Sequence, residues 1–81
     1  MVNTVGIPQS EVIRALELAA GTCLKEEPDS TGYGKHWGGT GPKGEPLLLF
    51  LTDYGFDETP YDEAFGAGKA GRTIDCLRAG L

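Results

Sequence analysis

The sequence predicts an α+β fold in which a small antiparallel sheet packs against two or three helices. Three observations predict it. An apolar stripe of helical period runs over 8–25, two strand-like segments occupy 33–38 and 47–52, and two short helical signatures follow without further strand pattern. Two strands are too few for a wound parallel sheet, so helices covering one face of an antiparallel sheet are the economical arrangement. The 81 residues make a single domain, 1–81. A domain of this size buries roughly 60–65% of the surface its unfolded chain exposes, so the core is small. Such a core is compatible with a homodimer.

Residues 1–7 carry Val2, Val5 and Ile7, which suit either an arm or an edge strand. In Pro8–Lys25, Pro8 stands near the helix start, Ser10 suits the N-cap, and Glu11 falls in the first turn, where the macrodipole favours an acid. Ile13, Leu16, Ala20 and Cys23 recur at spacings of three and four, with Val12, Ala19 and Leu24 at the margins. Gly21 weakens the last turn and Pro28 stops anything still helical.

From Glu26 to Pro46 the composition turns to glycine and proline. The chain has 13 glycines, about twice the usual share, which points to tight turns and close backbone contacts. Tyr33, Lys35 and Trp37 alternate with Gly34, His36 and Gly38, the period of a strand. Leu47–Thr52 is a compact apolar run closed by Asp53-Tyr54-Gly55 and reads as a buried strand paired with 33–38. Thr59-Pro60 followed by Asp62 and Glu63 forms a helix start that Gly66 stops. A final helix over 72–79 would bury Ile74, Leu77 and Cys76, with Gly80 at its C-terminal cap.

Net charge is −5. That argues against direct nucleic-acid binding, which needs a basic face, and against anionic membrane surfaces. It suits a basic protein partner and equally suits plain solubility. Residues 1–7 lack the basic region and apolar run of a leader peptide, and Leu47–Leu51 is too short to span a bilayer. A cytoplasmic protein with reduced Cys23 and Cys76 is expected.

No catalytic constellation, cofactor or metal site is expected, and the chain does not read as an enzyme. Gly66-Ala67-Gly68-Lys69-Ala70-Gly71 has GxGxxG spacing, and Gly66–Thr73 is similar to a P-loop with arginine for lysine. A P-loop follows a strand, whereas residues 61–65 look helical, so a turn between two short helices is the better reading. Cys23, Cys76 and His36 lack the paired spacing of a structural zinc site, and the cysteines read as small buried hydrophobes. Asp53, Asp57 and Glu58 around Gly55 lack the ligand alternation of a calcium loop. Nothing in the spacing brings Ser10, Ser30 or a cysteine to His36 as an activated nucleophile.

Two features remain as partner-binding candidates. Glu45, Asp53, Asp57, Glu58, Asp62 and Glu63 fall in a stretch free of lysine and arginine. They could imitate a run of phosphates, or be a solvated loop and helix start. Tyr33 and Trp37, in Tyr33-Gly34-Lys35-His36-Trp37, are residue types that dominate binding hot spots, although Trp37 also suits a core anchor.

In size, acidity and the Glu45–Glu63 cluster the chain resembles the phage-encoded anti-CRISPR proteins, in particular inhibitors of type I systems. The likeness covers the profile of the whole chain; those proteins share no motif, so it carries no residue across. It implies a DNA mimic acting in the host cytoplasm, whose acidic face blocks target DNA binding by a CRISPR surveillance complex. The alternative is an accessory or regulatory module that binds one protein through Tyr33 and Trp37, with its charge incidental. A small enzyme holding phosphate on the 66–73 turn is the third reading.

Overall fold

Leucines 47, 49 and 51 alternate with Pro46, Leu48 and Phe50, and that alternation sets the architecture. In the computed structural model, which describes residues 1–28 and 34–80, Pro46–Thr52 is strand β4; its three odd-numbered leucines are buried while Leu48 and Phe50 are exposed. The earlier elements are β1 (Val2–Asn3), α1 (Gln9–Ala20), β2 (Lys25–Glu26) and β3 (Gly34–Thr40). The later ones are β5 (Gly55–Phe56), α2 (Thr59–Phe65) and α3 (Lys69–Ala79). The five strands form one antiparallel sheet in the order β1-β5-β4-β3-β2. The expected α+β class is the observed one, and the edge-strand reading of residues 1–7 holds for Val2–Asn3.

The β3–β4 hairpin runs from Gly34↔Thr52 to Thr40↔Pro46. Gly41 N–H donates to Glu45 O (2.8 Å) across the connecting turn, where Gly44 takes φ 80°. The strand extends two residues past the expected end at 38, because Gly39 and Thr40 complete the ladder opposite Leu47 and Pro46. Residue 33, its expected start, lies outside the described residues.

The core is one cluster. Val12, Ile13 and Leu16 of α1, Tyr61 of α2, and Ala70 and Ile74 of α3 meet Leu47, Leu49, Leu51 and Phe56 from the sheet. Tyr61 is fully buried and its hydroxyl donates to Leu16 O (2.9 Å), tying α2 to α1. Burial pushes its phenol up to about 12, since the charged form would be stranded without water.

Helix boundaries correct several expectations. Pro8, not Ser10, stands at the N-cap of α1, and Ser10 lies within the helix. The helix ends at Ala20 because Gly21 turns left-handed (φ 68°) and donates to Glu17 O. The Glu17 carboxylate then accepts the Leu24 N–H (2.8 Å) and steers the departing chain. Leu24 is therefore buried, but Cys23 has left the helical stripe and is exposed. Cys76 is exposed as well, because Ile74 and Ala70 define the inward side of α3. The expected burial of both cysteines is thus overturned.

Candidate interaction site

The carboxylates singled out above fall mostly around α2. Asp57 precedes the helix and its Oδ1 accepts the Thr59 backbone N–H (3.0 Å) and hydroxyl (2.8 Å). These bonds, the backbone one first, hold its carboxyl below the ordinary aspartate value. Glu58, not Thr59, occupies the N-cap position, and its carboxylate lies 3.2 Å from the Met1 ammonium. Asp62 reaches forward to the next helix: its Oδ2 accepts Gly68 N–H (3.1 Å) and its Oδ1 accepts Ala70 N–H (3.0 Å). α3 therefore starts at Lys69, three residues before the expected Arg72, because Asp62 satisfies donors that the glycine at its N-cap cannot.

Glu63 is exposed and makes no hydrogen bond or ion pair among the described residues. It stands where two shallow hollows meet. One, of about 280 Å3, is lined by Glu45, Pro46, Leu47, Pro60, Glu63 and Ala64. The other, of about 260 Å3, is lined by Glu58, Thr59, Asp62, Glu63 and Ala67. Glu45 is oriented by its own turn, where Oε1 accepts Lys43 N–H (3.1 Å). Glu45, Glu58, Asp62 and Glu63 thus share one ridge, with Asp57 beside Glu58. Asp53 is apart from them, in the turn after β4, where its Oδ1 accepts the Gln9 side-chain N–H (3.1 Å).

The aromatic candidates separate. Tyr33 and Ser30 lie outside the described residues. Trp37 pairs with Leu49 and packs half-buried against the core, with its indole N–H enclosed and unpartnered among the described residues. It serves first as a core anchor, and little of its ring is left for a partner. His36 stands on the opposite face and stacks on Phe50, with ring centroids 4.6 Å apart.

The glycine turn does not form a phosphate cradle. Helix α2, not a strand, runs into it; Gly66 and Gly68 take φ 133° and 76°, and Gly71 is already inside α3. Among the described residues no three of histidine, cysteine, aspartate and glutamate are grouped to hold a metal ion, and no helix is long and apolar enough to cross a membrane.

No family model, curated protein or solved structure matches the chain.

Proposed function

We propose that this protein is a small acidic inhibitor that binds a basic nucleic-acid-binding complex by occupancy rather than catalysis. In the finer form of the reading it acts as a DNA mimic against a type I CRISPR surveillance complex. Its α2 carboxylates would lie along the lysine- and arginine-lined path of the target and exclude DNA. The observation that carries the reading is the ridge of Glu45, Glu58, Asp62 and Glu63 around α2, within a stretch, 44–68, that contains no lysine or arginine. The field of the ridge is therefore undiluted by cations of its own segment. Asp57, Glu58 and Asp62 are also already held in place by hydrogen bonds or an ion pair, so docking orders fewer side chains.

The test compares immobilised wild-type protein with a Glu58→Lys/Glu63→Lys variant in lysate from bacteria bearing a type I system, at low and high salt. Capture of a basic nucleic-acid-binding complex that high salt releases and the variant loses supports the reading. The purified complex should then lose target-DNA binding in a mobility shift when wild-type protein is added. Retention at high salt, equal capture by the variant, or no captured complex rejects it.

A further inference from the structure

The stretch Gly66–Thr73 has the spacing of a phosphate loop, yet its backbone donors are already taken. The N–H groups of Gly68 and Ala70 go to the Asp62 carboxylate, Lys69 N–H to Gly66 O (3.1 Å) and Arg72 N–H to Gly68 O (3.1 Å). The side chains of the same stretch are still available. Arg72 and Thr73 stand one turn on from Lys69 along α3. With Cys76 of that helix and Phe65 of α2, these three line an open hollow of about 470 Å3.

The wall of this hollow is cationic in a chain that carries −5: its two charged residues are Lys69 and Arg72. The one acid of α3, Asp75, lines a different hollow with Gly71 and Arg78. Neither Lys69 nor Arg72 has an acidic partner among the described residues. Arg72 donates from Nη1 to Ala67 O (3.2 Å), a bond that braces the guanidinium and leaves its other donors for a ligand. The Thr73 hydroxyl donates to Lys69 O (2.7 Å), so the strong donors in the hollow are the two cations. Phe65 supplies the apolar part of the wall. Its ring is half-buried and set against Tyr61, with centroids 4.9 Å apart.

We infer that this hollow is a binding site for a phosphate monoester joined to an aromatic ring. The phosphate is a dianion and meets two cations, one of them a planar guanidinium suited to paired N–H bonds with phosphate oxygens. The ring adds apolar contact with Phe65. Inorganic phosphate lacks the second contact and a neutral ring lacks the first, so the combination selects the ligand. The acidic ridge plays no part: Asp62 is turned to the amides at the start of α3, and Glu63 lines the hollows on the ridge. Because the hollow is open, much of a bound ring stays in water, and dissociation on the order of 1 mM is expected.

A titration of the full chain with phenyl phosphate, followed by amide chemical shifts at constant ionic strength, tests the inference. Shifts at Thr73 and Cys76 should saturate below about 20 mM, some twenty times the expected constant. Inorganic phosphate should bind several-fold more weakly, and phenol should leave these amides unmoved. Lys69→Ala/Arg72→Ala should weaken phenyl phosphate about tenfold or more. Lys69→Gln keeps the Arg72 bond to Ala67 and should weaken it about threefold or more. Phe65→Leu should bring phenyl phosphate down to the level of inorganic phosphate. Lys35→Ala/Lys43→Ala removes the same charge elsewhere and should bind as wild type does, and unchanged circular dichroism verifies folding. Adenosine 5′-monophosphate and phosphotyrosine, titrated in turn, tell a nucleotide from a phosphorylated side chain, the source being the one that binds at least as tightly as phenyl phosphate. No saturating shift, equal binding by Lys69→Ala/Arg72→Ala, an equal loss in Lys35→Ala/Lys43→Ala, inorganic phosphate as tight as phenyl phosphate, or no binding of either natural monoester overturns it.

Discussion

Asp62 is both a member of the acidic ridge and the cap of α3, and Asp62→Ala separates the two roles. The carboxylate accepts two backbone N–H groups, from Gly68 at 3.1 Å and Ala70 at 3.0 Å. Gly68 occupies the N-cap position and has no side chain to take over. Losing a cap of this kind costs about 1–2 kcal/mol. In a domain of this size 1 kcal/mol moves the melting temperature by about 4–8 °C, so a fall of about 4–16 °C is expected at neutral pH. Asp62→Asn keeps one acceptor oxygen and should fall in between. Glu63→Ala, one residue along and without a side-chain partner among the described residues, should stay within about 0.5 kcal/mol of wild type. Thermal unfolding followed by far-ultraviolet circular dichroism reads all three. If Asp62→Ala melts within 2 °C or so of wild type, or Glu63→Ala falls equally far, the capping role is refuted. The outcome also dictates how binding is probed: a variant at Asp62 would lose its partner by unfolding α3, whereas Glu63→Lys alters charge alone.

Other perturbations follow from single contacts. Tyr61 has its phenol pushed from 10.0 to about 12. Its contribution is therefore complete below pH 10 and is lost as pH rises toward 12, a fall of about 2–3 kcal/mol across that window. Denaturant titrations of Tyr61→Phe should show that alkaline slope removed, with about 1 kcal/mol lost at pH 7 for the missing bond to Leu16. Asp57 behaves oppositely: its lowered value means that its stabilisation is present above 3.8 and is lost as pH falls below it. Asp57→Asn should accordingly flatten the acid limb of a pH–stability curve. Gly55 takes φ 155°, and a Cβ there would strike Val2 O, so Gly55→Ala should detach β1 from β5 and cost about 2 kcal/mol or more by chemical denaturation.

The parts of the fold legible in the sequence are those whose burial repeats over several residues. Leu47, Leu49 and Leu51 announce β4, and Val12, Ile13 and Leu16 announce α1. β2 and β5 have two residues each, too few to carry a period, and they exist because the edges of β3 and β4 offer unpaired backbone groups. Boundaries failed where a distant side chain decides them. The start of α3 depends on Asp62, which lies outside the helix it caps. The exposure of Cys23 depends on Gly21 turning left-handed, whereas the periodic stripe alone carried the helix onward.

The acidic segment was legible as a cluster, but sequence proximity is a poor guide to which carboxylates act together. Glu45 is far from Glu63 along the chain, yet the two line one hollow because α2 packs beside the start of β4. Asp53 is nearer to Asp57 in sequence and is set apart by the turn after β4. Helix starts attract acids whether or not a partner exists, and Asp57 and Asp62 are already satisfied by backbone donors. Their negative charge nevertheless remains: a carboxylate that accepts N–H bonds is held in place rather than neutralised. An acid used as a cap therefore still projects field, and it does so from a fixed position. What distinguishes a docking ridge from ordinary capping is a carboxylate with no structural duty, and on this ridge Glu63 has none among the described residues. If the ridge binds a cationic surface, Glu63→Lys must weaken binding strongly while leaving the melting temperature almost unchanged, a combination that capping alone cannot produce.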